Sequence, residues 1–241
     1  GGLPLPAMLL AGAAGGMCWA AIAALLRDKC HASEILVSLM LVYVAVQVLG
    51  YLVYGPWKDP QGYNFPQTRL FGPAAQLPRL MDGSRLHAGL PLALAGAALL
   101  WVWLFRTRAG FAQQVCGLAP AAARYAGFSS RRALWTAMLA SGGAAGLAGA
   151  LEVAGPLRQL TPNVPAGYGF AAIIVAFVGR LHPLGIVLAA LLMSMFYIGG
   201  ELAQSRLGLP KSITGVFQGL LLFALLACDT LVHYRIRRGG R

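Results

Sequence analysis

The sequence predicts an all-α polytopic membrane protein with about seven transmembrane or partly spanning helices, one of them a broken or re-entrant segment. Three observations lead there. Charged residues make up 11% of the 241 positions while 58% are hydrophobic and the mean hydropathy is +0.68. A soluble domain carries about a quarter charged residues, and a disordered chain lacks such apolar surplus. The few charges are also clustered, leaving seven windows free of Asp, Glu, Lys and Arg, at 1–26, 35–57, 86–105, 133–151, 159–179, 181–200 and 212–228. Roughly 17 to 25 apolar residues cross a bilayer as a helix. Finally, the apolar runs are continuous, whereas a barrel strand would alternate polar and apolar positions.

Taken in order, the first window carries small residues four apart at Gly12, Gly16, Ala20 and Ala24. The fourth repeats the pattern at Gly142, Gly146 and Ala150, with Ala145 and Gly149 beside them. Such ridges let helix backbones approach closely in lipid; the alternative is a composition that scatters Ala and Gly everywhere. The Gly-Gly-Leu-Pro start, without Met or a basic flank, reads as a chain cut from a longer protein rather than a signal peptide. Between the second and third windows, 55–87 is rich in Pro, Gly and Gln and predicts an irregular loop with turns at Pro56, Pro60, Pro66, Pro73 and Pro78. Trp57 and Tyr63 suit headgroup anchors there.

The segment 106–132 predicts a short helical stretch around one proline, Pro120. In the fifth window Pro162, Pro165, Gly167 and Gly169 crowd the first half, leaving a clean helix only over 170–178, too short to cross alone. Broken backbone at membrane depth persists where protein or a water-filled cavity satisfies it, so this window is read as lining a polar pathway; a short external loop before a tilted helix is the alternative. Pro183, after Arg180 and His182, suits the first turn of the sixth helix.

Loop charge sets the orientation, because Lys and Arg accumulate on the cytoplasmic side. Arg27, Lys29, the five arginines of 106–132, Arg180 and the four C-terminal arginines put twelve positive residues on one side, against seven on the other. The C-terminus and 106–132 are therefore expected in the cytoplasm and 55–87 outside, within one membrane domain over 1–241. The formal charge of +12 is then a topology signal, and no nucleic-acid partner is expected, because no single face collects it. Cys18, Cys30, Cys116 and Cys228 lack CxxC spacing and are read as small buried hydrophobes without disulfide or zinc.

An intramembrane enzyme would need a base within reach of a nucleophile such as Ser141, and His182 is not placed there by any motif. No catalytic residue, metal or cofactor is expected. The sequence also lacks the Gly-rich Lys-Ser/Thr loop that cradles ATP phosphates. With no charge inside the windows, the polar and aromatic groups near the broken segment and the last helix, Asn163, Tyr168, Phe170 and Gln218, suit a neutral, hydroxyl-bearing, partly flat solute. They equally suit interface anchoring and packing.

The stretch FRTRAGFAQQVCGLAPAAARYAGFSSRRA at 105–133 resembles the cytoplasmic coupling loop of ABC-importer permeases, in the branch for branched-chain amino acids, simple sugars and nucleosides. That branch usually reads G-x-N-P-x-A-A-R-Y-A-G-I; Gly117, Pro120, Ala122, Ala123, Arg124, Tyr125, Ala126 and Gly127 match it. SLML at 38–41, NFPQT at 64–68, RLHAG at 85–89, GYGF at 167–170, GRLHPLG at 179–185 and QG at 218–219 are similar to the nucleoside and simple-sugar permeases in particular.

The resemblance implies a permease subunit of an ATP-driven importer in the bacterial cytoplasmic (inner) membrane, coupled through the matching residues to a separate ABC ATPase. It also implies a second, different permease chain and a substrate-binding lipoprotein or periplasmic protein, with lipid around the helices. Nucleosides are the implied solute, and simple sugars the alternative; an ATP-independent channel or carrier is a further one. Family members carry further N-terminal helices and an N-I-G-x-E-G-Q element that are missing here. Leu118, Ala119 and Ala121 replace the usual polar residues of the loop, and Ala112 and Gln114 stand where basic residues are common. Packing should therefore outweigh polar contact at the ATPase.

Overall fold

A computed structural model describes residues 4–62, 65–80, 86–164, 167–208, 210 and 212–233. Tyr63, Asn64, Arg85, Pro165, Lys211 and the arginine-rich tail lie outside the described residues. Nine α-helices form among them, in two compact units divided between Pro165 and Ala166. The first unit contains α1 (Leu5–Cys30), α2 (Glu34–Tyr54), α3 (Gly89–Arg106), α4 (Arg108–Leu118), α5 (Pro120–Tyr125) and α6 (Ser130–Glu152); the second contains α7 (Tyr168–Val178), α8 (Pro183–Leu207) and α9 (Ser212–His233).

Each of the seven windows contains a helix. α1, α2, α3, α8 and α6 with its continuation to Leu157 are long and apolar enough to cross a membrane. α9 runs for 22 residues, and α7 for only 11, as expected for the broken window. Large apolar side chains such as Leu10, Tyr51, Leu99 and Met195 point outward. In water that surface would be costly; against hydrocarbon it is matched.

The first unit is organised by α1 and α6. The two ridges of small residues face one another in antiparallel register: Gly12 lies opposite Gly146 and Ala150, and Gly16 opposite Gly142 and Gly146, with Ala20 beside Gly142. A Cβ on Gly16 would strike the Gly142 carbonyl oxygen, one on Gly146 the Gly12 carbonyl oxygen, and one on Gly12 would sit 2.8 Å from the Ala150 Cβ. Backbone is therefore in contact with backbone, a separation that only glycine permits. Ala23 and Ala24 extend the buried stripe of α1. Ala145 and Gly149 lie on the exposed face of α6, outside the seam.

At one end of the seam, α1 stops at His31, whose backbone is left-handed (φ 52°), with Arg27 and Lys29 in its last turn complementing the helix dipole. Arg27 pairs with Glu34 of α2 at 3.1 Å across the turn. At the other end α6 widens into a π-turn, Val153–Leu157, around Pro156. Proline has no N–H to donate and clashes with the regular helix, so the break starts there, ahead of the window at 159–179 where the sequence placed it.

The connection after α2 is irregular apart from a 3₁₀ turn at Pro73–Ala75, but it is tied down. Thr68, Phe71 and Leu77 donate backbone N–H groups to the carbonyls of Leu160, Arg158 and Ala154 at 2.9–3.0 Å. Thr68 Oγ1 accepts from the Leu160 N–H at 2.9 Å. The loop is thus a cap on the end of α6. His87 Nδ1 accepts from the Gly89 N–H at 3.1 Å and starts α3.

In the second unit Ala171, Ile174 and Met193 form a core with Val175, Val178, Tyr197 and Leu221 packed against it. Between α7 and α8, Arg180 and Leu181 are both left-handed, an uncommon conformation for consecutive non-glycine residues. Pro183 sits in the first turn of α8, as the sequence predicts. The cysteines differ from expectation: Cys18, Cys30 and Cys228 are exposed and Cys116 half-buried, all four free. They lie on faces that this chain's own helices do not cover.

The seam yields a paired prediction. Gly16→Ala should destabilise the detergent-purified protein by about 1–3 kcal/mol through overpacking, because its methyl group meets backbone. Gly15→Ala, at a position with open space around it, should leave the melting temperature unchanged or slightly raised. Equal losses in both variants would show that the seam is not in close contact.

Candidate functional site

The segment 106–132 is two short helices between two long ones, where the sequence suggested a single helical stretch. After Arg106 the backbone of Thr107 is extended, which ends α3. Thr107 Oγ1 then accepts from the Gly110 N–H at 3.1 Å, capping α4, and donates to the Trp103 carbonyl at 2.6 Å. Two glutamines fasten α4 to its neighbours. Gln114 Nε2 donates to the Leu104 carbonyl at 2.9 Å, and Gln113 Nε2 donates to the Ala133 carbonyl on α6 at 3.0 Å. Thr136 Oγ1 approaches Gln113 Oε1 at 3.0 Å from the α6 side.

α5 begins with Pro120 in its first turn, where a missing N–H costs nothing. It ends with Gly127 at φ 80°. There the Gly127 N–H donates to Arg124 O at 3.1 Å and the Phe128 N–H to Ala123 O at 2.9 Å, the paired bonds of a Schellman turn. Phe128 meets the Phe111 ring edge-on at 6.2 Å, and Ser129 Oγ accepts from the Arg132 N–H at 3.4 Å to cap α6. The short helix is thus held at both ends with little slack.

This frame sorts the expected coupling residues. Gly117, Pro120, Ala122, Arg124, Tyr125, Ala126 and Gly127 are exposed, whereas Ala123 is wholly buried. Ala123 therefore seats α5 on its own chain and offers no face to a partner. Tyr125 is 98% exposed and Leu118, which the sequence marked only as a departure, 87%. A tyrosine and a leucine thus project from a pinned frame beside the exposed Arg106, Arg108, Arg131 and Arg132, with nothing among the described residues covering them. Thr107 and the two glutamines are the supports that sequence reasoning missed; the Thr-to-Gly spacing before a helical run was the available signal.

The expected pathway residues divide between the units. Asn163 is exposed on the irregular stretch after Arg158 in the first. In the second, Tyr168 starts α7 and packs edge-on against Tyr197 of α8 at 5.4 Å between ring centroids, with Phe170 exposed in the same turn. Gln218 of α9 lies elsewhere, on an apolar groove of about 890 Å³ between α8 and α9 whose walls include Met193, Phe196, Ile213 and Phe217. It is the one polar side chain among the described residues lining that groove. Its Nε2 is buried and has no hydrogen-bond partner among them. An orphaned buried amide costs about 1–3 kcal/mol.

The family model for the branched-chain amino acid transport system / permease component matches residues 1–226. The chain belongs to this family. With its apolar helices, it is a multi-pass membrane protein. It is 34% identical to a glucose ABC transporter permease of Haloferax volcanii over 98% of this chain and 66% of that protein. To a guanosine ABC transporter permease of Bacillus subtilis it is 33% identical, over 91% of this chain and 63% of the relative. A nucleoside ABC transporter permease of Lactococcus lactis is 27% identical over 92% and 63%. The chain thus spans a little under two thirds of these relatives' lengths. No solved structure matches it.

The Schellman turn carries its own prediction. Gly127→Ala should destabilise the α5 frame by about 1 kcal/mol, since a Cβ at positive φ is strained, although there is open space around it. Hydrogen exchange at Gly127 and Phe128 amides should quicken while exchange in α1 stays unchanged. Unaltered exchange would show that the turn does not need glycine.

Proposed function

We propose that this chain is a permease subunit of an ATP-driven ABC importer that moves nucleosides across a bacterial cytoplasmic membrane. A separate ATPase docks on the segment 106–132, a second permease completes the pathway, and a lipoprotein or periplasmic binding protein delivers the solute. The observation that carries the reading is α5, fixed at both ends, with its Tyr125 and the adjoining Leu118 at the end of α4 almost fully exposed. Hydrolysis belongs to the ATPase, and this chain contributes the docking face and part of the pathway. The excess of positive residues on that side supports a cytoplasmic 106–132 and C-terminus, with 55–87 outside. An impermeant thiol reagent should then label a cysteine at position 62 in intact cells; preferential labelling at 129 reverses the orientation.

For the solute, the support is an unpaired amide among aromatic and sulfur side chains in the α8–α9 groove. An amide can answer the edge of a nucleobase, and Phe196 and Phe217 offer it apolar faces. None of the expected pathway residues is charged, which disfavours nucleotides and zwitterionic amino acids. The guanosine and nucleoside relatives favour the same reading. Simple sugars are the second reading, favoured by the glucose permease relative.

The test is uptake in cells carrying the full transporter. Unlabelled nucleosides should compete with labelled guanosine, while nucleotides and charged amino acids should not. Tyr125→Ala should lower both the ATPase that co-purifies and the uptake, roughly tenfold if it is a buried anchor worth about 1–2 kcal/mol at that interface. Best competition by a charged amino acid would refute the solute assignment, and full ATPase recovery with Tyr125→Ala the docking assignment.

A further inference from the structure

We propose that Asp28 is a positioning residue for coupling: it locks the end of α1 to the first turns of α6, so that displacement of α5 is carried by α1 and α6 together. The inference rests on the reading of 106–132 as the ATPase-coupling segment. Asp28 Oδ2 accepts from Arg131 Nε at 2.7 Å and from Trp135 Nε1 at 3.2 Å. The aspartate side chain is only 14% exposed, whereas that of Arg131 is 68% exposed. Arg27 one position earlier is already engaged by Glu34.

Two directional bonds converging on one oxygen fix both the rotation and the axial position of α6 against α1. The glycine seam cannot do this alone, because close-packed backbone resists separation but offers few directional bonds against sliding. Asp28 also stands where motion would enter. Arg131 lies four residues beyond Gly127, and the turn between them is closed by the Phe128–Ala123 bond and the Ser129 cap. A push on α5 is therefore delivered to the N-terminal turn of α6. At the far end of α6, Ala154, Arg158 and Leu160 hold the cap formed by residues 68–77. One rigid pair thereby connects the docking face with the opposite end of the first unit.

The test uses the assembled transporter in liposomes, with labelled guanosine and glucose as probe solutes, comparing wild type, Asp28→Arg, Arg131→Asp and the double exchange. Solute moved per ATP hydrolysed should fall by about fivefold or more in each single variant, within the range of couplings carried by such networks. ATPase co-purification should stay at the wild-type level with Asp28→Arg and with Trp135→Phe, whose positions lie outside the docking segment. The double exchange should regain at least half of the lost ratio, which a merely stabilising role would not produce. Single variants with the wild-type ratio, or a double exchange no better than the singles, overturn the proposal. If a charge reversal fails to accumulate, Asp28→Asn and Trp135→Phe carry the same comparison, a wild-type ratio in both being the overturning result. Absence of ATPase from the wild-type complex would instead refute the coupling reading beneath it.

Discussion

The approach of α1 and α6, backbone against backbone along Gly12, Gly16, Gly142 and Gly146, is the constraint on which the rest of the first unit depends. In lipid an apolar side chain gains little by exchanging tails for another helix, so close packing and directional bonds decide which helices pair. A seam of glycines maximises the first of these. Its register is antiparallel, and it brings the end of α1 to the start of α6, where Asp28 meets Arg131 and Trp135. At its other end Pro156 breaks α6 into the π-turn. The cap over that end and the short helices at the other are both hung on α6.

The two ends are built differently, and the difference suits what is proposed for them. The cap is held by backbone N–H groups reaching carbonyls freed around the π-turn, so the irregular loop and the broken helix satisfy each other. The docking end is held by side chains, Thr107, Gln113 and Gln114, and by a glycine turn, which leave the outward face of α5 free. In the second unit a short α7 leads through a left-handed turn at Arg180 and Leu181 into α8. The groove there pairs extensive apolar wall with one unsatisfied amide at Gln218.

Much of this was legible in the sequence because membrane helices announce themselves by the absence of charge. The seven windows located α1, α2, α3, α6, α7, α8 and α9, and both small-residue ridges were visible as four-residue spacings. That these ridges face each other was not legible, since they are about 130 positions apart and spacing says nothing of partner. A separation of 103 positions likewise hid the Asp28–Arg131 pair. Pro156 was passed over in favour of the denser prolines of 162–165, although a proline near a helix end is itself a break signal. The segment 106–132 was singled out through its family pattern, but the pattern could not show that Ala123 turns inward or that Gln113 and Gln114 serve as ties. The cysteines were misread because apolar surroundings were equated with burial by this chain.

The central claim is that α1 and α6 move as one body in the working transporter, and a reversible cross-link between them tests it most directly. Gly15→Cys and Ala145→Cys, introduced after Cys18, Cys30, Cys116 and Cys228 have been replaced by serine, place two thiols on opposite walls of the groove beside the seam, where a side chain at 15 meets open space. The assembled transporter should take up labelled guanosine at the same rate before and after oxidation, because the bond joins helices that do not separate or slide. Uptake that falls on oxidation and returns on reduction would show that the helices move past each other during transport, contradicting the account.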